Sequence, residues 1–211
     1  MEQAAAQAKL ARLAHRLNVG CGLPQLVLMT DDDRLHDPGP AAAQLPRGSL
    51  VVVRARDPAR RAGLAAALAP VARRRGLFLL IADDPALASS ADGLHLPERR
   101  AGEAAHWRAR RPGWLVTVSA HSCGAALKAA RCGADAVFMS PIFPTRSHPE
   151  RKSLTAIRLR LMALRLCVPV YALGGIDART AQSLAGARLA GLAAIGAFAA
   201  APERAAHMSQ L

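Results

Sequence analysis

Short apolar runs recur along the chain: Leu26–Thr30, Ser49–Ala55, Leu77–Asp83, Gly93–Leu96, Trp114–Ala120, Asp135–Ser140, Val168–Gly174 and Leu189–Ala197. Most are continuous rather than alternating, the pattern of strands buried on both faces of a parallel sheet. Amphipathic stretches lie between them, clearest in DPARRAGLAAALAPVARRR, SCGAALKAARCG, SLTAIRLRLMALRL and DARTAQSLAGAR. Several open on Asp or Ser and close near Gly, the residues that start and stop helices. The connector after the first run, containing DPGPAAAQLPRG, is too Pro-rich for a confident helix, and DPALASS after the third leaves room only for a turn or two.

Strand–helix units in this number within 211 residues predict an α/β fold, a compact (β/α)8 TIM barrel. The segment before the first run reads as an extra N-terminal helix, expected to cover the barrel floor. An open doubly wound sheet shares the periodicity, but no GxGxxG follows the first strand, which weakens its dinucleotide-binding version. No linker splits the chain, so residues 1–211 are read as a single domain.

Composition adjusts this picture only slightly. The chain is 52% apolar and 3% aromatic, so Ala, Leu and Val supply most of the packing. The formal net charge of +13 raises a nucleic-acid reading. Many arginines fall on helix-like stretches where a solvated face explains them, and seven scattered aromatics (four Phe, two Trp, one Tyr) make a poor base-stacking platform. An electropositive surface also suits small anionic substrates. Cys21, Cys123, Cys132 and Cys167 show no metal-like spacing and read as free thiols. No signal peptide and no apolar run of roughly 18 residues is present, so a soluble cytoplasmic protein without a membrane partner is expected.

In such barrels the chemistry gathers at the C-terminal ends of the strands. Strand two ends in Arg54 and Arg56, which by strand period share a side and are able to grip a diphosphate. Strand three ends in Asp83 and Asp84; Asp83 is the candidate Mg²⁺ ligand, whereas Asp84 reads as the cap of a short helix. Strand five ends in Ser119 and His121, with Ser122 as a helix cap and His121 able to serve as acid, base or donor. Gly174 and Gly175 after strand seven, and Gly196 in strand eight's AAIGAF, permit close approach of backbone to a ligand. The loop SPIFPTRSH, Ser140–His148, is either a stiff connector or a phosphate loop with hydroxyls at Thr145 and Ser147.

Taken in order, these pieces resemble the thiamine phosphate synthase/TenI superfamily, most specifically in GADAVFMSPIFPTRSH, supported by ADGLHL, VSAHS, GGI and the strand-eight ending. The resemblance implies a synthase that joins an aminopyrimidine methyl diphosphate to a thiazole phosphate with release of diphosphate, aided by Mg²⁺. It places Arg54 and Arg56 on the diphosphate and Asp83 on the metal. Ser119 falls at the reacting centre, and Thr145, Ser147 and His148 on the strand-six loop, His148 replacing a lysine. Gly175, Ile195 and Gly196 fall where backbone groups hold the thiazole phosphate. Homo-oligomers are frequent in that family.

Departures from the pattern sit at the metal and the diphosphate. Val52 stands in a glutamine slot, Ala82 in an asparagine slot, and Arg100 near the slot of a second metal carboxylate. Glu98, about two residues early, and Asp84 are the carboxylates left to replace it. The TenI-like branch offers the alternative of a thiazole tautomerase, with His121 moving the proton, or of a reduced thiazole-phosphate binder. A basic nucleic-acid-associated protein is the distant third reading.

Overall fold

Each apolar run forms a strand: β1 (Leu26–Met29), β2 (Leu50–Val53), β3 (Phe78–Ala82), β4 (Gly93–Leu96), β5 (Leu115–Ala120), β6 (Ala136–Met139), β7 (Val170–Ala172) and β8 (Gly191–Ala194). In the computed structural model, which describes residues 2–145 and 153–198, they pair in chain order as a closed parallel barrel. Closure is made by β1 on β8, with Leu26 opposite Leu192, Val27 opposite Ala193 and Leu28 opposite Ala194. Apart from Phe78, and Leu115 and Ser119 in β5, every strand residue is buried, which explains the unbroken apolar runs. Most strands stop short of the run that predicted them. β2 ends at Val53, so Arg54 and Arg56 lie past the ladder and the strand period no longer fixes which way they face.

Helices α1 (Glu2–Leu17), α2 (Gly39–Ala43), α3 (Pro58–Arg75), α4 (Ala104–Arg110), α5 (Cys123–Arg131) and α6 (Ala156–Arg165) surround the barrel. α3 shows how local chemistry sets the boundaries. Asp57 accepts from the Arg60 N–H, Pro58 occupies the first turn, and Gly76 closes the helix at φ 62° behind Arg73–Arg75. Ser122 caps α5 by accepting from the Ala125 N–H, as the sequence suggested. The Pro-rich connector yields the five-residue α2, and DPALASS yields a 3₁₀ turn at Leu87–Ser90.

Two helix expectations change. DARTAQSLAGAR forms only a 3₁₀ turn, Thr180–Leu184: Asp177 caps its start by accepting from the Arg179 and Thr180 N–H groups (2.8 and 2.7 Å), but Gly186, at φ 76°, follows directly after Ala185 and the turn goes no further. α1 does not lie across the floor. Its stripe of Leu10, Leu13, Ala14 and Leu17 is buried against the β8 and β1 side of the wall, and only its C-terminal end reaches the floor. There Asn18 Nδ2 donates to the Ala190 carbonyl at 2.5 Å and the Val19 N–H to that of Leu189 at 3.0 Å.

Inside the barrel, Phe138 stacks on Tyr171 (centroids 4.6 Å apart) and meets the His95 ring edge-on at 4.9 Å. The buried Tyr171 hydroxyl donates to the Pro24 carbonyl at 2.7 Å, joining β7 to the entry of β1. Tyr171→Phe strands that carbonyl, at a cost of about 1–3 kcal/mol. In thermal unfolding the variant is expected to lose about 2–4 °C per kcal/mol, and an unchanged Tm would show that the bond contributes nothing.

Candidate active site

All the described candidates except Ser119, which sits near the C-terminal end of β5, follow the strand ends, so the barrel gathers them at one mouth: Arg54 and Arg56 after β2, Asp83 after β3, His121 after β5, Thr145 after β6, Gly175 after β7, and Ile195 and Gly196 after β8. Ser147 and His148 lie outside the described residues.

The arginines are not free. β1 runs into Asp31, Asp32 and Asp33, and these acids take the cations of the neighbouring β2–α3 connection. Arg54 donates to Asp31 Oδ2 at 2.7 Å, Arg34 reaches both oxygens of the same carboxylate, Arg60 pairs with Asp32 at 2.8 Å, and Arg56 pairs with Asp33. Arg34 and Arg54 hold the Asp31 carboxyl at about 2, overcoming the burial that would raise it. Arg54 and Arg56 differ in place: the Arg54 side chain is 49% exposed, whereas that of Arg56 is 78% exposed on the outer acid. Thr30 fixes the start of the arginine segment, its Oγ1 bonding both the N–H and the carbonyl of Arg54 at 2.7 Å.

The centre of the mouth is a residue whose role the sequence did not disclose. His95, 3% exposed, bonds Thr117 Oγ1 through Nδ1 and Ser119 Oγ through Nε2, each at 2.8 Å. Burial, and then the Arg54 charge, push its pKa down to about 3, so the ring is neutral at physiological pH. Arg54 and Asp83 both act electrostatically on this ring, and the Asp83 N–H donates to the His95 carbonyl at 2.9 Å. Thr117 and Ser119 thus hold one neutral imidazole, with Arg54 and Asp83 close enough for their charges to act on it. The signal was present in GLHL, a polar ring inside an otherwise apolar buried strand.

His121 stands further out. Its Nδ1 lies 2.8 Å from the Ser140 carbonyl, which can only accept, so Nδ1 carries the proton and Nε2 the lone pair when the ring is neutral. Its backbone N–H donates to Glu98 Oε2 at 2.8 Å.

Asp83 is poorly suited to a dication. At φ 57° it presents one oxygen to Arg99 and the other to Arg100 Nη1 at 2.6 Å. Arg100 is clamped from behind by Glu103, whose two oxygens accept from Nε and Nη2 at 2.7 Å, and Trp107 Nε1 donates to the same carboxylate at 3.0 Å. These bonds hold the Glu103 carboxyl at about 2. Glu98 is engaged by His121, and Asp84 caps the turn at Leu87 as expected while facing Arg61. No group of three His, Cys, Asp or Glu residues able to hold a metal occurs among the described residues. The residues around Asp83 do not fit Mg²⁺, since a fixed guanidinium stands where a second carboxylate would be needed.

On the other side of the mouth, Ser140–Thr145 forms a strap over the end of β7. The Ile142 and Phe143 N–H groups donate to the carbonyls of Leu173 and Gly174 (3.0 and 3.1 Å), and the Leu154 and Thr155 N–H groups return to those of Pro141 and Ile142. Gly174 and Gly175 make this approach possible. A Cβ on Gly174 would lie 2.8 Å from Pro141 Cα, and one on Gly175 2.7 Å from Phe143 Cβ. The strap is thus a firmly paired connector as well as the carrier of Thr145. Ile195 is buried and offers only its backbone, whereas Gly196 has open space where a Cβ would be.

Arginines, a hydroxyl on a buried imidazole and glycine-bared backbone thus stand at one mouth of a (β/α)8 barrel, groups chemically able to bind phosphate oxygens. The sequence profile described as thiamine monophosphate synthase matches residues 26–198, and the chain belongs to that family. The thiamine-phosphate synthase of Chlorobium luteolum is 40% identical over 149 residues, covering 68% of this chain and 70% of that protein. A protein of Aquifex aeolicus with a provisional thiamine-phosphate synthase name is 44% identical over 93 residues, 44% of this chain and 50% of its own length. The chain therefore spans from half to seven tenths of these two relatives. Among solved structures, thiamine phosphate pyrophosphorylase from Pyrococcus furiosus superposes with a TM-score of 0.68 at 23% identity over 87% of each chain, a likeness of fold.

Proposed function

We propose that this protein is a thiamine phosphate synthase, joining an aminopyrimidine methyl diphosphate to a thiazole phosphate. The observation that carries the reading is that Arg54, Asp83 and Ser119, the last bonded to the neutral His95, meet at one mouth of a barrel of this family. In the reaction the bond from the pyrimidine methylene carbon to the diphosphate oxygen breaks, and its electron pair leaves on the oxygen. The thiazole nitrogen lone pair then forms the carbon–nitrogen bond, so no proton has to move. The protein's task is to position both partners and to stabilise the departing anion.

In this reading Arg54, swung from Asp31, and Arg56, from Asp33, take the diphosphate. Ser119, oriented by His95, lies at the reacting carbon. Thr145, together with Ser147 and His148 as the resemblance assigns them, takes part in binding the diphosphate, and the backbone at Gly175, Ile195 and Gly196 takes the thiazole phosphate. The family reaction generally uses Mg²⁺, and Asp83 is the residue the resemblance would assign to it. The substrates are small soluble metabolites and the cytoplasm is the compartment we assign; no described helix is long and apolar enough to cross a membrane.

The test is purified protein with both substrates, assayed for thiamine phosphate with and without Mg²⁺. Ser119→Ala is expected to reduce kcat by about 10²-fold or more, in line with loss of a positioned donor at the reacting centre. No product under either condition would end the synthase reading. One observation favours the TenI-like alternative: the proton fixed on His121 Nδ1 leaves Nε2 available as a base. Interconversion of thiazole phosphate tautomers that disappears in His121→Ala would establish that second reading.

A further inference from the structure

The clamp on Asp83 bears on how the leaving group is neutralised. Arg100 is held on three sides of its guanidinium: Nε and Nη2 on Glu103, and Nη1 on Asp83 Oδ1. It cannot withdraw to admit a dication without breaking a bidentate pair that Trp107 also supports. Arg99 is its opposite, 68% exposed and joined to Asp83 through Nη2. One cation is thus fixed and the other is able to swing, and Asp83 is the counterion that parks both. Arg54 follows β2, which is separated from β4 by β3 alone. With strands roughly 5 Å apart, the ends of β2 and β4 stand about 10 Å apart, Arg54 directly after the first and Arg99 and Arg100 in the turn Glu98–Glu103 after the second, a gap that long side chains can close over a diphosphate.

We propose that Arg99 and Arg100 replace the divalent cation of the family reaction, so that the site takes diphosphate in its metal-free form. This rests on the synthase reading for its substrate, but the anion site stands or falls by itself. Guanidiniums suit the role because each offers several N–H donors in a planar fork matched to phosphate oxygens. An incoming diphosphate displaces the Asp83 carboxylate from Arg99 and from Arg100 Nη1, while Glu103 keeps Arg100 Nε and Nη2 and so holds that guanidinium in place. The bond between the pyrimidine carbon and the oxygen then breaks with its electron pair delivered to an anion held by fixed positive charge. No proton or co-reactant is required.

Calorimetric titration with inorganic diphosphate tests this. Wild-type protein in EDTA is expected to bind diphosphate, and replacing EDTA by millimolar Mg²⁺ is expected to leave the affinity equal or weaker, because the metal competes for the anion. Arg99→Ala removes an exposed side chain and should leave the thermal unfolding curve nearly unchanged while weakening diphosphate about tenfold, the worth of one charged hydrogen bond. Arg100→Asp supplies the missing carboxylate and is expected to make binding depend on Mg²⁺; its fold is checked by the unfolding transition. Because Arg99→Ala reads the same site, the result does not depend on Arg100→Asp folding. Wild-type binding seen only with Mg²⁺, or unaltered affinity in Arg99→Ala, overturns the proposal. Metal-free binding that Arg99→Ala weakens, without any thiamine phosphate formed, upholds the anion site and removes the synthase reading. Product formation that EDTA abolishes does the reverse.

Discussion

Gly175→Ala is expected to lower synthase kcat/KM by about a hundredfold, out of proportion to its effect on stability. Gly175 sits at φ 67°, where an L side chain costs about 1–2 kcal/mol. Its added methyl would also meet Phe143 Cβ at 2.7 Å and the Pro144 carbonyl at 2.9 Å, both belonging to the strap. The strap cannot yield freely, because the Ile142 and Phe143 N–H groups are bonded to the carbonyls of Leu173 and Gly174. Relief therefore requires displacing the segment that leads to Thr145. Gly186→Ala separates strain from displacement. Gly186 has a similar φ of 76°, but its methyl would meet only the flexible end of Arg160, at 3.2 Å. It should lose comparable backbone stability and keep its activity. If the two variants match in both unfolding temperature and kcat/KM, the strap does not position the site.

The barrel was legible because its strands are nearly uniform in burial: an unbroken apolar run needs no knowledge of its neighbours to be recognised. Helix ends were legible where one side chain makes the cap, as at Asp57 and Ser122. DARTAQSLAGAR misled because a helical polar–apolar spacing behind a capping Asp does not say how many turns follow, and this one ends just before Gly186. The N-terminal helix was visible from its stripe, but which surface the stripe meets depends on the groove beside β8. At the site, strand-end residues could be sampled one by one, whereas their pairings could not. Nothing local in RAR shows that Asp31 and Asp33 take those arginines, some twenty residues away. Arg100 was visible as a departure from the family pattern. That it forms a clamp with Glu103 and Trp107 emerges only when the turn Glu98–Glu103 and α4 bring them together.

His95 gives the protein a second large expected effect, on its response to acid. Its folded pKa of about 3 lies below the ordinary value of 6.5, burial being the main cause and the Arg54 charge the next. The unfolded chain therefore takes up a proton as pH falls through 6.5, and the folded chain does not until near 3. Stability from the neutral imidazole is complete above 6.5 and declines on acidification by about 1.4 kcal/mol per pH unit, on the order of 5 kcal/mol over the whole window. Asp31 and Glu103, both held at about 2, add their own losses only as pH falls through their ordinary values of 3.8 and 4.5, so the interval from 6.5 to 5 reports on His95. Urea unfolding at stepped pH should show that slope in the wild type and a flatter profile in His95→Gln, whose amide retains a donor and an acceptor for Thr117 and Ser119. A wild-type profile already flat over this interval would mean that the imidazole is not held neutral. The same variant tests how Ser119 is oriented: a fall in kcat with KM nearly unchanged is the signature of a misaimed hydroxyl, because substrate binding rests on the arginines and backbone elsewhere in the mouth. A change confined to KM would instead place His95 among the groups that merely shape the pocket. The imidazole that makes the fold sensitive to acid is then also what points the reactive hydroxyl, since both effects come from burying one ring between Thr117 and Ser119.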